Sequence, residues 1–143
     1  MGQDGTIYSV SVEIVPYERR HLDAVIDLCR QAEVFAAFSS DPDRAGRALA
    51  GEGAVAVVAL RDRELVGFAH ALSDGAFQAF LSLLLVRPDA RRNGIGRRLV
   101  AEVISRSGAL RVDLLAYEEA EALYASFPHE RFSGVSGFRL RPR

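Results

Sequence analysis

The segment that most restricts this chain is Leu83-Leu84-Leu85-Val86-Arg87-Pro88-Asp89-Ala90-Arg91-Arg92-Asn93-Gly94-Ile95-Gly96-Arg97-Arg98-Leu99. An apolar run of strand length meets a basic, glycine-bearing turn, and beyond it Ile95, Leu99, Val100, Val103 and Ile104 recur on one side of a helix, with Gly108 placed to stop it. The period therefore changes from strand to helix across one turn. Main-chain N–H groups at the start of a helix point outward and carry the positive end of the macrodipole, so such a turn receives an anion when no side chain blocks it. Gly94 and Gly96 remove that block. Arg91, Arg92, Arg97 and Arg98 add positive charge at the end of the helix where the dipole opposes it, an arrangement that a bound polyanion would relieve. The competing reading is a positively charged surface turn with no ligand, since isolated glycine pairs often mark no more than that.

The rest of the chain supplies the frame for this junction. Ser9 to Val15 alternates apolar and polar residues with the period of a half-buried strand, and Leu22, Val25, Ile26 and Cys29 then share one helical face, which puts Cys29 in the core. Ser39-Ser40-Asp41-Pro42 has the form of a helix start, with Asp41 as N-cap and Pro42 in the first turn, for a helix to about Leu49. Three strands follow at Ala54 to Leu60, Glu64 to Ser73 and Phe77 to Val86, as an antiparallel meander. Leu110 to Leu115 reads as a further strand, Ala120 to Phe127 as a last helix, and Phe132 to Leu140 as a final strand or hairpin. This order predicts a mixed α/β fold, and 143 residues with no linker or repeat predict a single domain over 1–143.

Composition removes several functions. A formal charge of −1 gives no support to nucleic-acid binding or to attraction to an anionic membrane. One cysteine excludes an intramolecular disulfide and a multi-thiolate zinc site, and three scattered histidines do not make a metal site. No leader-like start or membrane-length apolar run is seen, so a soluble, cytoplasmic protein is expected.

The identity of the polyanion follows from spacing in part. A Walker loop needs Lys-Ser or Lys-Thr after its second glycine, and a dinucleotide fingerprint needs glycine or alanine where Leu99 stands. What does fit is Arg91-x-x-Gly94-x-Gly96 after a strand ending Leu85-Val86-x-Pro88, and here the sequence resembles the GCN5-related N-acetyltransferase superfamily, abbreviated GNAT. The likeness is most specific over Leu81 to Ile104 and rests on element order alone before Ala54. It implies a mostly antiparallel central sheet flanked by helices, with a splay between the fourth strand, Phe77 to Val86, and the fifth, Leu110 to Leu115. It implies acetyl-CoA as the ligand. The pyrophosphate would lie against Arg91, Arg92, Asn93, Gly94, Ile95, Gly96 and Arg97, and the pantetheine arm would bond main-chain groups of Leu84, Leu85 and Val86 as a strand would.

Attack of an amine on a thioester needs a neutral nucleophile, help for the oxyanion and a proton for the departing thiolate. The resemblance assigns the last role to Tyr124, because Ala120-x-x-x-Tyr124 matches the family's alanine-to-tyrosine spacing; the plainer alternative is an aromatic packing beside Ala120 and Phe127. Two departures stand beside this match: Tyr117 where asparagine is common, and Ser126-Phe127-Pro128-His129 in place of glycine-phenylalanine. The strand Phe77 to Val86 has no acidic residue to act as base, so deprotonation through ordered water is preferred over His70, a core or cleft-wall histidine, and over His129 or Glu130; His21 reads as a surface residue. Glu118, Glu119 and Glu121 read as a solvated helix face that could instead attract a cationic amine.

The expected function is transfer of acetyl from acetyl-CoA to an amine, on a small molecule or a protein. The alternative is a non-catalytic module that senses acetyl-CoA or binds a partner. The resemblance places acceptor specificity in Leu22 to Leu49 and Phe127 to Gly137, and relatives often form homodimers, though no stripe in this sequence marks an interface.

Overall fold

In the computed structural model, residues 11–142 are described. The elements are β1 (Val12–Pro16), α1 (Leu22–Ala32), α2 (Ala36–Ser40), α3 (Pro42–Ala50), β2 (Ala54–Arg61), β3 (Glu64–Ser73), β4 (Gln78–Val86), α4 (Ile95–Ser107), β5 (Arg111–Asp113) and α5 (Glu121–Ala125), with 3-10 turns at Arg19–His21, Pro88–Ala90 and Glu118–Ala120. The strands form one five-stranded sheet in the order β1-β2-β3-β4-β5. Every pairing is antiparallel except the last, where β5 runs parallel to β4. Ser9 and Val10, expected to open the first strand, lie outside the described residues.

Helices cover both faces. On one, α4 sets Ile95, Leu99, Val100 and Val103 against Val57, Val66, Ala69, Ala71 and Leu81. On the other, Val25, Leu28, Cys29 and Leu49 of α1 and α3 pack on Val58, Leu65, Phe68 and Leu85. Burying side chains of this size is worth roughly 1.5–3 kcal/mol each, so the two cores hold the sheet between them. Gly67 lets α4 come close: a Cβ there would lie 2.9 Å from the carbonyl oxygen of Leu85 and 3.1 Å from Leu99 Cδ1.

Local signals act as their chemistry requires. The Asp41 carboxylate accepts from the Arg44 N–H at 3.2 Å and caps α3, with Pro42 in the first turn. Gly108 ends α4 in the left-handed region at φ 67°.

Four expectations change. The helix α2 is additional, and Phe35, in the left-handed region at φ 54°, precedes it. His21 is 8% exposed rather than a surface residue, and its Nδ1 accepts from the Glu18 N–H at 2.9 Å. The strand expected over Leu110 to Leu115 pairs only through Arg111–Asp113, because beyond that point the chain turns away from β4. No strand forms between Phe132 and Leu140; Phe132 is 63% and Phe138 86% exposed, and Gly134 at φ 70° interrupts the run. Among the described residues, no helix is long and apolar enough to cross a membrane.

Candidate active site

A β-bulge in β4 sets the geometry of the site. His70 pairs with Leu83 and Ala71 with Leu81, so Ser82 has no partner in β3. The extra residue reverses the alternation of the strand. Leu81 faces α4 before the bulge; after it Leu84 and Val86 take that face while Leu83 and Leu85 turn to α1 and α3.

Main-chain groups follow the same alternation. The Arg87 N–H donates to the Val66 carbonyl at 2.7 Å, toward β3. Groups two residues apart point the same way, so Leu85 bonds β3 and the main-chain groups of Leu84 and Val86 point to the other edge. On that edge β5 pairs only with Gln78, Ala79 and Phe80. The far half of β4 thus presents a ladder with no strand beside it among the described residues, and this opening is the expected splay. The Leu85 main chain belongs to the β3 ladder, and its side chain is buried in the core.

The turn that follows is shaped by its own residues. Arg87 makes ion pairs with Asp89 at 2.6 Å and Glu64 at 2.7 Å, which tie the 3-10 turn back to β3. Asn93 Nδ2 donates to the carbonyls of Ala90 and Arg91, both at 3.3 Å, so the Asn93 side chain stitches the turn together. Arg92 and Gly94 lie in the left-handed region at φ 67° and 76°. The first bond of α4 runs from the Arg98 N–H to the Gly94 carbonyl at 3.0 Å. Among the described residues, the main-chain N–H groups from Arg92 through Arg97 therefore meet no acceptor. Consecutive bare amides at a helix start form a concavity suited to an anion. Ile95 buries its side chain in the core and contributes only its N–H to this row.

The two glycines have different reasons to be there. Gly94 needs its positive φ, and a Cβ on it would touch nothing within 4 Å. Gly96 is helical, and a Cβ there would meet Leu123 Cδ2 and Val86 Cγ2 at an ordinary 3.7 Å. Neither backbone nor packing excludes alanine at Gly96, although glycine costs about 1 kcal/mol in a helix.

The arginine side chains do not gather over the turn as their spacing suggests. Arg91 donates through Nε to the Val86 carbonyl at 3.0 Å, and Arg98 donates to the Val12 carbonyl at 3.0 Å. Arg97 reaches Ser126, donating to Oγ at 3.2 Å and to the carbonyl at 3.3 Å, and lies 4.4 Å above the Phe127 ring. Arg92 is exposed at the mouth of the turn.

Tyr124 on α5 is half-buried against the α4-side core, in the cluster that also takes in Leu84, Val86, Leu114 and Phe127. It stands on the side of the sheet that carries the glycine turn. Burial raises its pKa above the ordinary phenol value, so it keeps its proton across the neutral range. His70 is 4% exposed and bonds the Ala48 carbonyl through Nε2 at 3.0 Å, which ties the end of α3 to the sheet.

On the opposite face lies a groove of about 520 Å³, lined by Leu72, Phe80, Gln78, Glu52, Asp74 and Asp113. Leu72 pairs with Phe80 and Phe80 with Asp113, so all three sit where β4 and β5 begin to part. The Asp74 carboxylate accepts from the N–H groups of Ala76, Phe77 and Gln78, which holds its pKa below the usual range and keeps it ionised. Sequence reasoning missed this groove and the Ser82 bulge. The first depends on strands pairing across the sheet, and the second lies within a leucine run that suits either face.

Comparison with known proteins gives a consistent pattern. The model of the acetyltransferase (GNAT) domain family matches residues 23–133. No curated protein matches at a significant level. Among solved structures, the aminoglycoside N-acetyltransferase AAC(6')-Iy in complex with CoA is similar with a TM-score of 0.73 at 20% identity, over 94% of this chain and 98% of that one. A ribosomal-protein-alanine N-acetyltransferase from Brucella melitensis biovar Abortus 2308 is similar with a TM-score of 0.67 at 20% identity, over 92% and 99%. A predicted acetyltransferase from Clostridium acetobutylicum, solved with acetyl-CoA, is similar with a TM-score of 0.72 at 10% identity, over 90% and 96%.

Proposed function

The chain belongs to the acetyltransferase (GNAT) domain family and is an acetyl-CoA-dependent N-acetyltransferase, and from that premise we propose that its whole length, 1–143, is one catalytic domain using the glycine turn, the open half of β4 and Tyr124. The observation that carries this reading is the row of N–H groups from Arg92 through Arg97 that meet no acceptor among the described residues, adjoining the edge of β4 that has no strand beside it among them. The pyrophosphate of the coenzyme would accept from that row, with Arg92 adding charge at the mouth. The pantetheine arm would take the place of a neighbouring strand beside Leu84 and Val86. Leu85 would support it from the core rather than bond it.

Acetyl-CoA supplies the activated acyl group. The chain binds it, aligns it in the splay and holds a proton at the Tyr124 hydroxyl for the sulfur that leaves when the amine nitrogen bonds the carbonyl carbon. The acceptor enters from the opposite face, through the groove at Leu72, Phe80 and Asp113. Glu52, Asp74 and Asp113 favour a cationic amine there, and the apolar floor favours one with a ring or hydrocarbon body. A small polyamine or aminoglycoside-like compound fits this better than a protein amine. The excess proton of the ammonium leaves through water, since β4 offers no carboxylate. The buried free Cys29 suits a reducing, cytoplasmic setting.

A thiol-release assay with acetyl-CoA against aminoglycosides, polyamines and N-terminal peptides tests the reading. Turnover of a cationic small molecule is expected. Tight acetyl-CoA binding with no turnover of any amine would remove the catalytic part.

A further inference from the structure

We infer that the Arg97 guanidinium is a positioning group for Tyr124, a clasp between the coenzyme turn and the tyrosine helix, and not a ligand of the coenzyme phosphates. The inference rests on the role proposed above for Tyr124. It explains contacts that a phosphate ligand has no reason to make.

Arg97 is in the first turn of α4, where its own helix dipole disfavours a cation. Its side chain leaves that turn and crosses to the end of α5, where the Ser126 carbonyl accepts from it and the negative end of that short helix favours a cation. There it makes two hydrogen bonds to Ser126 and covers the face of Phe127, so position and plane of the guanidinium are both fixed. The Ser126 hydroxyl both accepts from Arg97 and donates to the Leu123 carbonyl, the latter at 2.5 Å. Tyr124 lies between these partners in the chain.

The clasp matters because α5 cannot orient Tyr124 unaided. The helix is five residues long and lacks a side-chain cap. Helices so short are unstable alone, so external contacts decide where the tyrosine hydroxyl points. Packing of Tyr124 and Phe127 on the α4-side core supplies one set. Leu123, which faces Gly96, supplies a second. Arg97 supplies the polar, directional one, and it starts from the turn that would hold the phosphates. The distance between donor thioester and proton donor would thus be set by one side chain joining their two supports.

The test compares Arg97→Met, which keeps the stacking length and removes the fork, with Arg97→Lys, Tyr124→Phe and the double variant Arg97→Met/Tyr124→Phe. Coenzyme Kd is read by calorimetry and kcat by thiol release. A positioning role predicts that Arg97→Met lowers kcat by ~10–100-fold while Kd changes by less than about 3-fold, and that Arg97→Lys, lacking the planar fork, restores little. It also predicts that the double variant is no slower than Tyr124→Phe alone, because both changes remove the same proton donation. A large rise in Kd with kcat kept would make Arg97 a phosphate ligand and overturn the clasp. Independent, multiplying losses in the double variant would also overturn it while leaving Tyr124 in its role. If Tyr124→Phe is itself as fast as the parent protein, both the clasp and the assignment of Tyr124 fall, and unchanged Kd in that variant separates this outcome from loss of the coenzyme site. Ser126→Ala, which keeps the helix and removes one acceptor, gives the same comparison should Arg97→Met fail to fold.

Discussion

Arg91 closes on Val86: its Nε donates to the carbonyl oxygen of the last residue of β4 at 3.0 Å. Strand and turn are joined by this bond on the edge that lacks a neighbouring strand among the described residues, so the position of the amide row is referred to the ladder of Leu84 and Val86. A net hydrogen bond of this kind is worth about 1 kcal/mol. Arg91→Ala should therefore raise the coenzyme Kd by ~5–10-fold with kcat at saturation little changed, as read by calorimetry and saturation kinetics. An unchanged Kd would mean that the turn holds its shape without the arginine.

Gly96 separates packing from ligand approach. Because a Cβ at that position meets only ordinary contacts, Gly96→Ala should keep or raise stability, by up to about 1 kcal/mol in chemical denaturation, while weakening acetyl-CoA binding. Gly94→Glu, with bulk, charge and a strained φ, should abolish binding. A Gly96→Ala protein that binds as tightly as its parent would place the phosphates elsewhere.

Tyr124 offers the kinetic test. Its hydroxyl makes no hydrogen bond among the described residues, so Tyr124→Phe leaves no buried polar group stranded and should fold normally. We expect kcat to fall by ~10²-fold with coenzyme affinity retained. The outcome that counts against it is a variant with equal kcat.

Cys29 bears on every thiol-release measurement. It is 1% exposed, and burial pushes its pKa up to about 11, so it is neither accessible nor ionised at assay pH. Ellman's reagent should find no protein thiol in the folded state and one equivalent per chain after denaturation. Rapid labelling of the native protein would show that α1 opens on the timescale of the assay.

Stability should depend on pH through His70. Burial, partly offset by the bond to Ala48, holds its folded pKa below the value in the unfolded chain, which is ~6.5. The unfolded chain thus takes up a proton first on acidification. The contribution is intact above about pH 6.5 and is lost as pH falls below it. His21 shifts in the same direction, chiefly through burial. Denaturation midpoints at pH 7.5 and 5.5 should differ less in His70→Gln than in the parent, and an equal difference would exclude His70 as a source.

The parts legible in the sequence were those with a local cause. Asp41 caps its helix through a bond to Arg44 three residues on, Gly108 ends α4 because its φ is positive, and Gly94 with Gly96 marks the turn. What the sequence concealed depends on pairing across distance. Arg97 reads as part of a basic cluster because its partner Ser126 is 29 residues away. The left-handed residues Glu33 and Phe35, which bring α2 into being, have no glycine to announce them. In Leu81 to Leu85 every residue but Ser82 is leucine, so hydrophobic alternation could not show where the strand changes face.

Ser82 belongs to neither side of that change, and this makes it dispensable in a way its neighbours are not. Leu81 and Leu83 already face adjacent residues of β3, Ala71 and His70, so deleting Ser82 would close the bulge into a regular strand and leave every leucine in its own layer. Losing any paired residue of β4 would do the opposite and carry one layer's side chains into the other. Threonine or alanine at position 82 should be harmless, and β4 has at this point a residue it can shed without exchanging its two faces.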